Sequence, residues 1–284
     1  MDPMIFLWAF IGPVVSLILA FPITVIWKDN SLVDLGWALG FVSMAWISYI
    51  VNGVMNDNWL SARQLTITIL VTIWGIRLIT YIIIRKVIRK TEDKRFVQYR
   101  ENWKTNFYLK SFLVIFLPQI FLVYIIGSPV VFANSINDST TISTLGIILL
   151  VIGAVTWFEG FFFETVGDAQ LLMFRKNPEN QGKTLNKGVW KFSRHPNYFG
   201  ETTQWWGIFI IAISFAFEDL SNATQIAVGW VTILGPILLT FILLKFSGIP
   251  TLEKEGMLKG REGYKEYLAT TSSFIPWFPK RIKK

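Results

Sequence analysis

Apolar residues run through this chain in long, nearly uncharged stretches that are separated by short polar segments. A helix needs about 20 mostly apolar residues to cross the hydrocarbon core of a bilayer. Stretches of about this length cover residues 4–26, 32–52, 65–84, 111–133, 142–165, 202–217 and 225–246. The sixth is the shortest, and a polar motif precedes it. The pattern predicts an all-α, polytopic integral membrane protein with about seven transmembrane helices in a single membrane domain, residues 1–284.

The composition supports a membrane protein and excludes several kinds of chemistry. Of the 284 residues, 52% are hydrophobic and 16% are charged, whereas about a quarter of a soluble chain is charged. The chain has no cysteine and one histidine. The absence of cysteine excludes disulfides, iron–sulfur clusters, cysteine zinc sites and a cysteine nucleophile. A multi-histidine metal centre is excluded as well, so we expect no metal.

The basic residues are confined to three segments. Of 27 lysines and arginines, 24 lie in residues 85–110, 175–194 and 245–284. With seven spans, all three segments fall on one side of the membrane. The positive-inside rule then places that side in the cytoplasm, with the N-terminus outside and the C-terminus cytoplasmic. A basic face beside anionic lipid also explains the net charge of +8 without nucleic acid.

Ionisable residues at membrane depth are costly and therefore mark candidate functional positions. They are Asp34, Arg77, Glu159, Glu164, Asp168, Glu201 and Lys245. All except Arg77 lie near the predicted cytoplasmic boundary, where a charged cofactor can meet an apolar substrate from the bilayer. We expect this boundary in the plasma membrane of a prokaryote or the endoplasmic reticulum of a eukaryote.

Two segments near this boundary concentrate polar groups. Glu164 and Asp168 are four residues apart and share a helical face, and Arg175 joins that face if the helix continues. The second segment ends in Arg194-His195-Pro196-Asn197-Tyr198-Phe-Gly-Glu201. The proline keeps the preceding residues out of a helix and suits a first helical turn, whose free N–H groups can face an anion. The segment predicts an anion-binding approach to the sixth span.

This segment resembles the C-terminal motif of the steroid 5-alpha-reductase superfamily. Residues 74–78, 164–175, 247–253, 264–267 and 274–277 extend the resemblance to the DUF1295 branch of that superfamily, over residues 30–280. The resemblance implies a seven-helix fold that binds NADPH between the later helices and the cytoplasmic loops. It also implies reduction of an activated C=C bond in a steroid, sterol, polyprenol or enoyl-CoA substrate.

The resemblance also implies which residues hold NADPH. Glu164 stands where the steroid enzymes have asparagine, and Lys245 and Tyr267 match residues near their C-termini. The cofactor-binding candidates are Glu164, Asp168, Arg175, Arg194, His195, Asn197, Tyr198, Glu201, Lys245 and Tyr267. For the proton donor in catalysis the candidates are Asp34, if its apolar setting keeps it protonated, and Tyr81.

Other functions remain open from the sequence. The pattern Arg-His-Pro-x-Tyr-x-Gly also occurs in isoprenylcysteine and phospholipid methyltransferases, which use S-adenosylmethionine. The upstream acids Glu164 and Asp168 with Arg175 favour the reductase. A non-catalytic membrane lipid-binding protein is a further alternative. That hypothesis does not explain the cluster of polar residues from Arg194 to Glu201.

Overall fold

The computed structural model of the chain describes residues 1–57, 59, 61–89, 92, 94–137, 142–246, 248–258 and 260–281. It is 80% helical, without strands in those residues. The helices are α1 Pro3–Ile26, α2 Val33–Asn56, α3 Ala62–Arg89, α4 Lys94–Asn102, α5 Phe107–Ser111, α6 Leu117–Ile126, α7 Ser128–Ser135, α8 Thr144–Lys176, α9 Pro196–Ser214, α10 Ala223–Val231, α11 Leu234–Phe241, α12 Ile249–Leu258 and α13 Tyr264–Thr270. Ser247, part of one matching run, lies outside the described residues.

The residues group into two compact units. The first comprises Met1–Leu150 with Phe209–Gly235, and the second comprises Val151–Ile208 with Pro236–Lys284. The single domain expected from the sequence stays a prediction.

Six helical segments within the described residues are long and apolar enough to cross a membrane: Pro3–Ile26, Asn30–Asn56, Ala62–Val87, Phe107–Ile126, Thr144–Lys176 and Ala223–Leu258. The predicted sixth span falls in α9, whose first turns carry Asn197, Glu201 and Gln204. These polar side chains lower its overall apolar character. The all-helical membrane fold is confirmed, whereas the count of seven spans and the orientation stay predictions.

Proline and glycine divide two of the predicted spans. The stretch 111–133 gives α5, a π-helical segment Phe112–Phe116, α6 and then a separate α7. α6 ends at Ile126 with Gly127 as its C-cap, and Pro129 stands in the first turn of α7. In the stretch 225–246, Pro236 follows the turn between α10 and α11. Proline has no N–H to donate, so one helical hydrogen bond is missing at each of these places.

Glycines bring α1 and α2 of the first unit together. A Cβ on Gly12 would lie 2.6 Å from the backbone N of Met44, and one on Gly36 would lie 2.9 Å from Leu17 Cδ2. Small residues let helix backbones approach closely in a membrane, where packing drives association. The two helices therefore form a tight pair.

In the second unit, the segment between α8 and α9 is fastened to the C-terminal tail. The Ser193 hydroxyl donates to Phe274 O at 2.7 Å, and the Thr184 hydroxyl donates to Glu262 O at 2.7 Å. The Trp277 N–H donates to Phe192 O at 2.9 Å. These bonds hold the residues that precede α9 in one position.

Candidate functional site

The candidate site is built where α8 meets the beginning of α9, within the second unit. A Cβ on Gly200 would lie 2.3 Å from the backbone N of Glu164, and one on Gly160 would lie 2.5 Å from Gly200 O. Such contacts are shorter than any real Cβ tolerates. The two glycines therefore allow the helix backbones to touch, which brings the polar side chains of both helices together.

Two buried carboxylates of α8 accept hydrogen bonds from amides of α9. Glu164 is 3% exposed and accepts from Gln204 Nε2 at 2.5 Å. Asp168 is 5% exposed and accepts from Asn197 Nδ2 at 3.1 Å. Both acids lie on the face of α8 that meets α9, as their spacing of four residues predicts. The result is an acidic, amide-rich seam between two helices.

α8 continues past the apolar stretch, which ends at about residue 165, to Lys176. Arg175 is exposed in its last turn. A cation at a helix C-terminus interacts favourably with the helix dipole. The helix also holds the next segment, because Trp190 Nε1 donates to Gly167 O at 3.0 Å and Val189 N donates to Gln170 Oε1 at 3.1 Å.

Arg194 contacts the protein itself through its guanidinium group. Its Nε donates to Glu253 Oε1 at 2.8 Å, and one terminal nitrogen donates to the carbonyls of Leu268 at 2.9 Å and Thr271 at 2.5 Å. These carbonyls belong to the C-terminal end of α13, where helical carbonyls lack internal partners. Arg194 thus joins α12 and α13 to the start of α9. Its contact with a cofactor stays a prediction.

His195 is buried beside Arg194 with 5% of its surface exposed. Its Nε2 lies 3.3 Å from Glu253 Oε1, and its ring stacks on Tyr198 with centroids 5.7 Å apart. Burial lowers the pKa of His195 below its ordinary value of 6.5, while Glu253 opposes this shift and Arg194 adds to it. The imidazole is therefore neutral at pH 7. α9 begins at Pro196, as the motif predicts.

Tyr267 and Lys245 differ in exposure. Tyr267 is buried, and its hydroxyl donates to Trp190 O at 2.6 Å. Burial raises the pKa of this phenol. Lys245 is exposed and lines a pocket of about 370 Å³ with Ser272 and Ser273. Tyr267 thus holds the segment before α9, while Lys245 places an exposed cation at the pocket.

The remaining predicted site residues lie in two different parts of the chain. Tyr198 and Glu201 are half-buried in the first two turns of α9. Asp34 and Tyr81, the proton-donor candidates, belong to the first unit. Within the described ranges, no three His, Cys, Asp or Glu residues are grouped so that they could hold a metal ion.

Arg85 brings the two proton-donor candidates together. Its guanidinium lies 3.2 Å from Asp34 Oδ2 and 5.7 Å from the centre of the Tyr81 ring. Arg77 lies over the same ring at 5.9 Å. The Asp34 side chain is 40% exposed beside this guanidinium.

Sequence reasoning missed Gln204 and Glu253. Gln204 stands three residues after Glu201 and seven after Asn197, so helical spacing on α9 offered a signal for it. Glu253 belongs to the C-terminal run 247–253, 58 residues from its partner His195. No local pattern connects positions so far apart, and only the fold shows that Glu253 lies beside the motif.

The long apolar helices define the chain as an integral membrane protein. More particularly, it belongs to the family described as "Protein of unknown function (DUF1295)", which matches residues 20–271. This family is in the steroid 5-alpha-reductase-like group. The chain has no significant match among curated proteins or among solved structures.

Proposed function

We propose that this protein is a membrane-embedded reductase that uses NADPH to reduce a C=C bond conjugated to a carbonyl in a steroid, isoprenoid or enoyl-type lipid. One observation carries the proposal. The buried acids Glu164 and Asp168 accept hydrogen bonds from amides in the first three turns of α9, the helix that begins at the proline of the Arg-His-Pro motif. This arrangement occurs in a chain whose family is in the steroid 5-alpha-reductase-like group.

The side chains of the second unit fit the chemistry of NADPH. Carboxylates such as Asp168 and Glu201 accept hydrogen bonds from ribose hydroxyls, and the Asn197 amide both donates and accepts. Arg175 and Lys245 are exposed cations that suit phosphate. Lys245 shares its pocket with Ser272 and Ser273. The hydroxyl groups of these serines can donate hydrogen bonds to phosphate oxygens. We place this cofactor site on the cytoplasmic side.

NADPH supplies the hydride, and the protein holds the reactants and supplies a proton. With NADPH bound, hydride addition to the β-carbon of the alkene would leave an enolate, and a proton delivered to the α-carbon would complete the reduction. We assign this proton to the Tyr81 hydroxyl or to Asp34. Arg77 and Arg85 lie over the Tyr81 ring, so their positive charges stabilise the phenolate that remains until water returns the proton.

Thermal unfolding of the purified protein in detergent tests the cofactor. A ligand that binds only the folded state raises the unfolding midpoint, by about 2.7 kcal/mol of stability at 100 times its dissociation constant. We expect NADPH to raise the midpoint and S-adenosylmethionine to leave it unchanged. The reverse result would contradict the reductase and favour a methyltransferase.

Single substitutions test where NADPH binds. Asn197→Ala and Glu201→Ala are expected to unfold cooperatively without ligand and to lose most of the NADPH shift, because each removes a polar side chain of α9 that we assign to the cofactor site. Lys187→Ala is the control, since Lys187 is exposed in the segment before α9. An undiminished NADPH shift in both α9 variants would show that the cofactor binds elsewhere.

A further inference from the structure

Gln204 has a buried acceptor that the protein leaves unused. The side chain is 1% exposed. Its Nε2 donates to Glu164 Oε2 at 2.5 Å and to Gly200 O at 3.3 Å. Both partners are acceptors, so they require the nitrogen at this end of the amide and leave the oxygen at the other end. Gln204 Oε1 has no hydrogen-bond partner among the described residues.

Such an atom calls for a donor from outside the chain. Buried polar atoms are nearly always hydrogen-bonded, because leaving one unpaired costs free energy. Gly160 lies directly against Gln204, since a Cβ on Gly160 would lie 2.6 Å from Gln204 N and 2.8 Å from its Cγ. The glycine makes room for Gln204, and the Glu164 bond fixes its amide.

The position of Gln204 on α9 indicates the kind of donor. Asn197, Glu201 and Gln204 form a stripe on one side of the helix, with Gln204 furthest from the polar segment that precedes Pro196. Gln204 is therefore the member of the stripe that lies deepest in the apolar part of α9, and a donor that pairs with its Oε1 belongs to the part of a ligand that reaches this depth. In NADPH, the end that must reach a lipid is the nicotinamide, whose carboxamide carries two N–H donors.

We propose that Gln204 is a further cofactor-binding residue, whose Oε1 accepts a hydrogen bond from the nicotinamide carboxamide. This inference rests on the proposed function. Phosphate oxygens do not satisfy Gln204 Oε1, because they are acceptors like it. Gln204 thereby fixes the rotation of the carboxamide and, with it, the face of the ring that is presented to the substrate.

The test compares reduced NADPH with its reduced 3-acetylpyridine analogue, in which a methyl group replaces the carboxamide nitrogen and no N–H remains. Dissociation constants are measured by calorimetric titration of the full chain in nanodiscs. The wild type is expected to bind NADPH about tenfold more tightly than the analogue. Gln204→Met is expected to weaken NADPH binding about tenfold and to leave the affinity for the analogue unchanged, which isolates the pairwise contact.

A matched control separates this contact from a general effect of buried polar atoms. Thr165 Oγ1 on α8 is also buried without a hydrogen-bond partner among the described residues. Thr165→Val is isosteric and is expected to keep the tenfold preference for NADPH. If Gln204→Met does not fold, Gln204→Asn is measured in the same way; its shorter side chain withdraws the carbonyl oxygen and should also abolish the preference.

The outcomes separate this inference from the proposed function. Equal wild-type affinities for the two cofactors, or a preference that survives in the Gln204 variant, would overturn the role of Gln204 while NADPH binding still stands. The absence of any NADPH binding to the wild type would overturn the proposed function, and this inference with it.

Discussion

Arg194 and His195 stand side by side in the sequence, and both reach the same oxygen of Glu253. Arg194 Nε lies 2.8 Å from Glu253 Oε1, and His195 Nε2 lies 3.3 Å from it. Arg194 extends further to two carbonyls at the end of α13. The three side chains therefore connect the tail to the start of α9, and the residues of the motif that face α8 keep their place because of them.

Arg194→Lys is expected to loosen this connection. A lysine keeps the charge but loses the planar fork that reaches Glu253 and the two carbonyls together. Hydrogen bonds of charged groups contribute about 1.5–3 kcal/mol, so the free energy of unfolding should fall by about 1–3 kcal/mol. Thermal unfolding without ligand checks this, with Lys187→Ala as the exposed control. An unchanged midpoint would show that the Arg194 contacts add nothing to stability.

His195 makes stability depend on pH in a defined direction. Burial lowers the pKa of His195 below 6.5, so the unfolded state binds a proton at higher pH than the folded state does. Stability due to His195 is therefore complete above pH 6.5 and is lost as the pH falls from 6.5 through the lowered pKa. The difference in unfolding midpoint between wild type and His195→Gln should narrow on acidification. A constant difference from pH 7.5 to 5 would contradict this.

At the residue scale, the sequence predicted where functional side chains lie on their helices better than it predicted which residues they bond. Helical spacing correctly placed Glu164 and Asp168 on one face, and the proline correctly marked the start of α9. Their partners depend on how helices meet, which local spacing does not contain. Glu253 is the clearest case, because it reaches Arg194 from 59 residues away.

At the scale of elements, a repeat of glycines explains why α8 and α9 meet so closely. Gly153, Gly160 and Gly167 follow one another every seven residues on α8, as Gly200 and Gly207 do on α9. A Cβ on Gly207 would lie 2.7 Å from Gly153 O, and one on Gly167 would lie 3.2 Å from Asn197 N. The repeat forms a continuous groove along α8 in which α9 lies.

Gly200→Ala is expected to separate the two helices at the site. The added methyl would lie 2.3 Å from the backbone N of Glu164, and overpacking of this kind costs about 1–3 kcal/mol. We expect a lower unfolding midpoint together with a weaker NADPH shift. Ala169→Leu is the control, because Ala169 is exposed on the same α8. Normal NADPH protection in Gly200→Ala would contradict a site built on this contact.

The apolar stretches predicted most helices well and failed where polar residues continue a helix. α1 occupies Pro3–Ile26, against a predicted 4–26. α8 continues to Lys176, well past the predicted end at 165. Hydropathy measures transfer into lipid and therefore does not detect the part of a helix that leaves the apolar stretch. That polar continuation carries Asp168 and Arg175.

For the whole molecule, the open question of topology depends on α9. Its 19 residues from Pro196 to Ser214 would reach across a bilayer core of about 30 Å at 1.5 Å per residue. Six other segments within the described residues meet the length and apolarity of a span. The positive-inside distribution of basic residues favours a seventh crossing, since it places residues 175–194 and the tail on one side.

Cysteine labelling decides this, since the chain has no cysteine of its own. Lys187→Cys and Ser221→Cys introduce single thiols at exposed positions on either side of α9. If α9 crosses the membrane, an impermeant maleimide added to intact cells should label residue 221 and not residue 187. Labelling of both positions, or of neither, from outside the cell would mean that α9 does not cross.

Isotope transfer tests most directly the proposal that this membrane protein transfers hydride from NADPH to a lipid. The purified protein is incubated with a membrane lipid extract, NADPH that carries deuterium at the transferable position of C4, and S-adenosylmethionine with a deuterated methyl group. Mass spectrometry then determines whether the deuterium of NADPH or the deuterated methyl group has been transferred to lipid. We predict one deuterium in a lipid that has lost a C=C bond. A trideuteromethyl group in lipid, or no label in lipid at all, would contradict the claim.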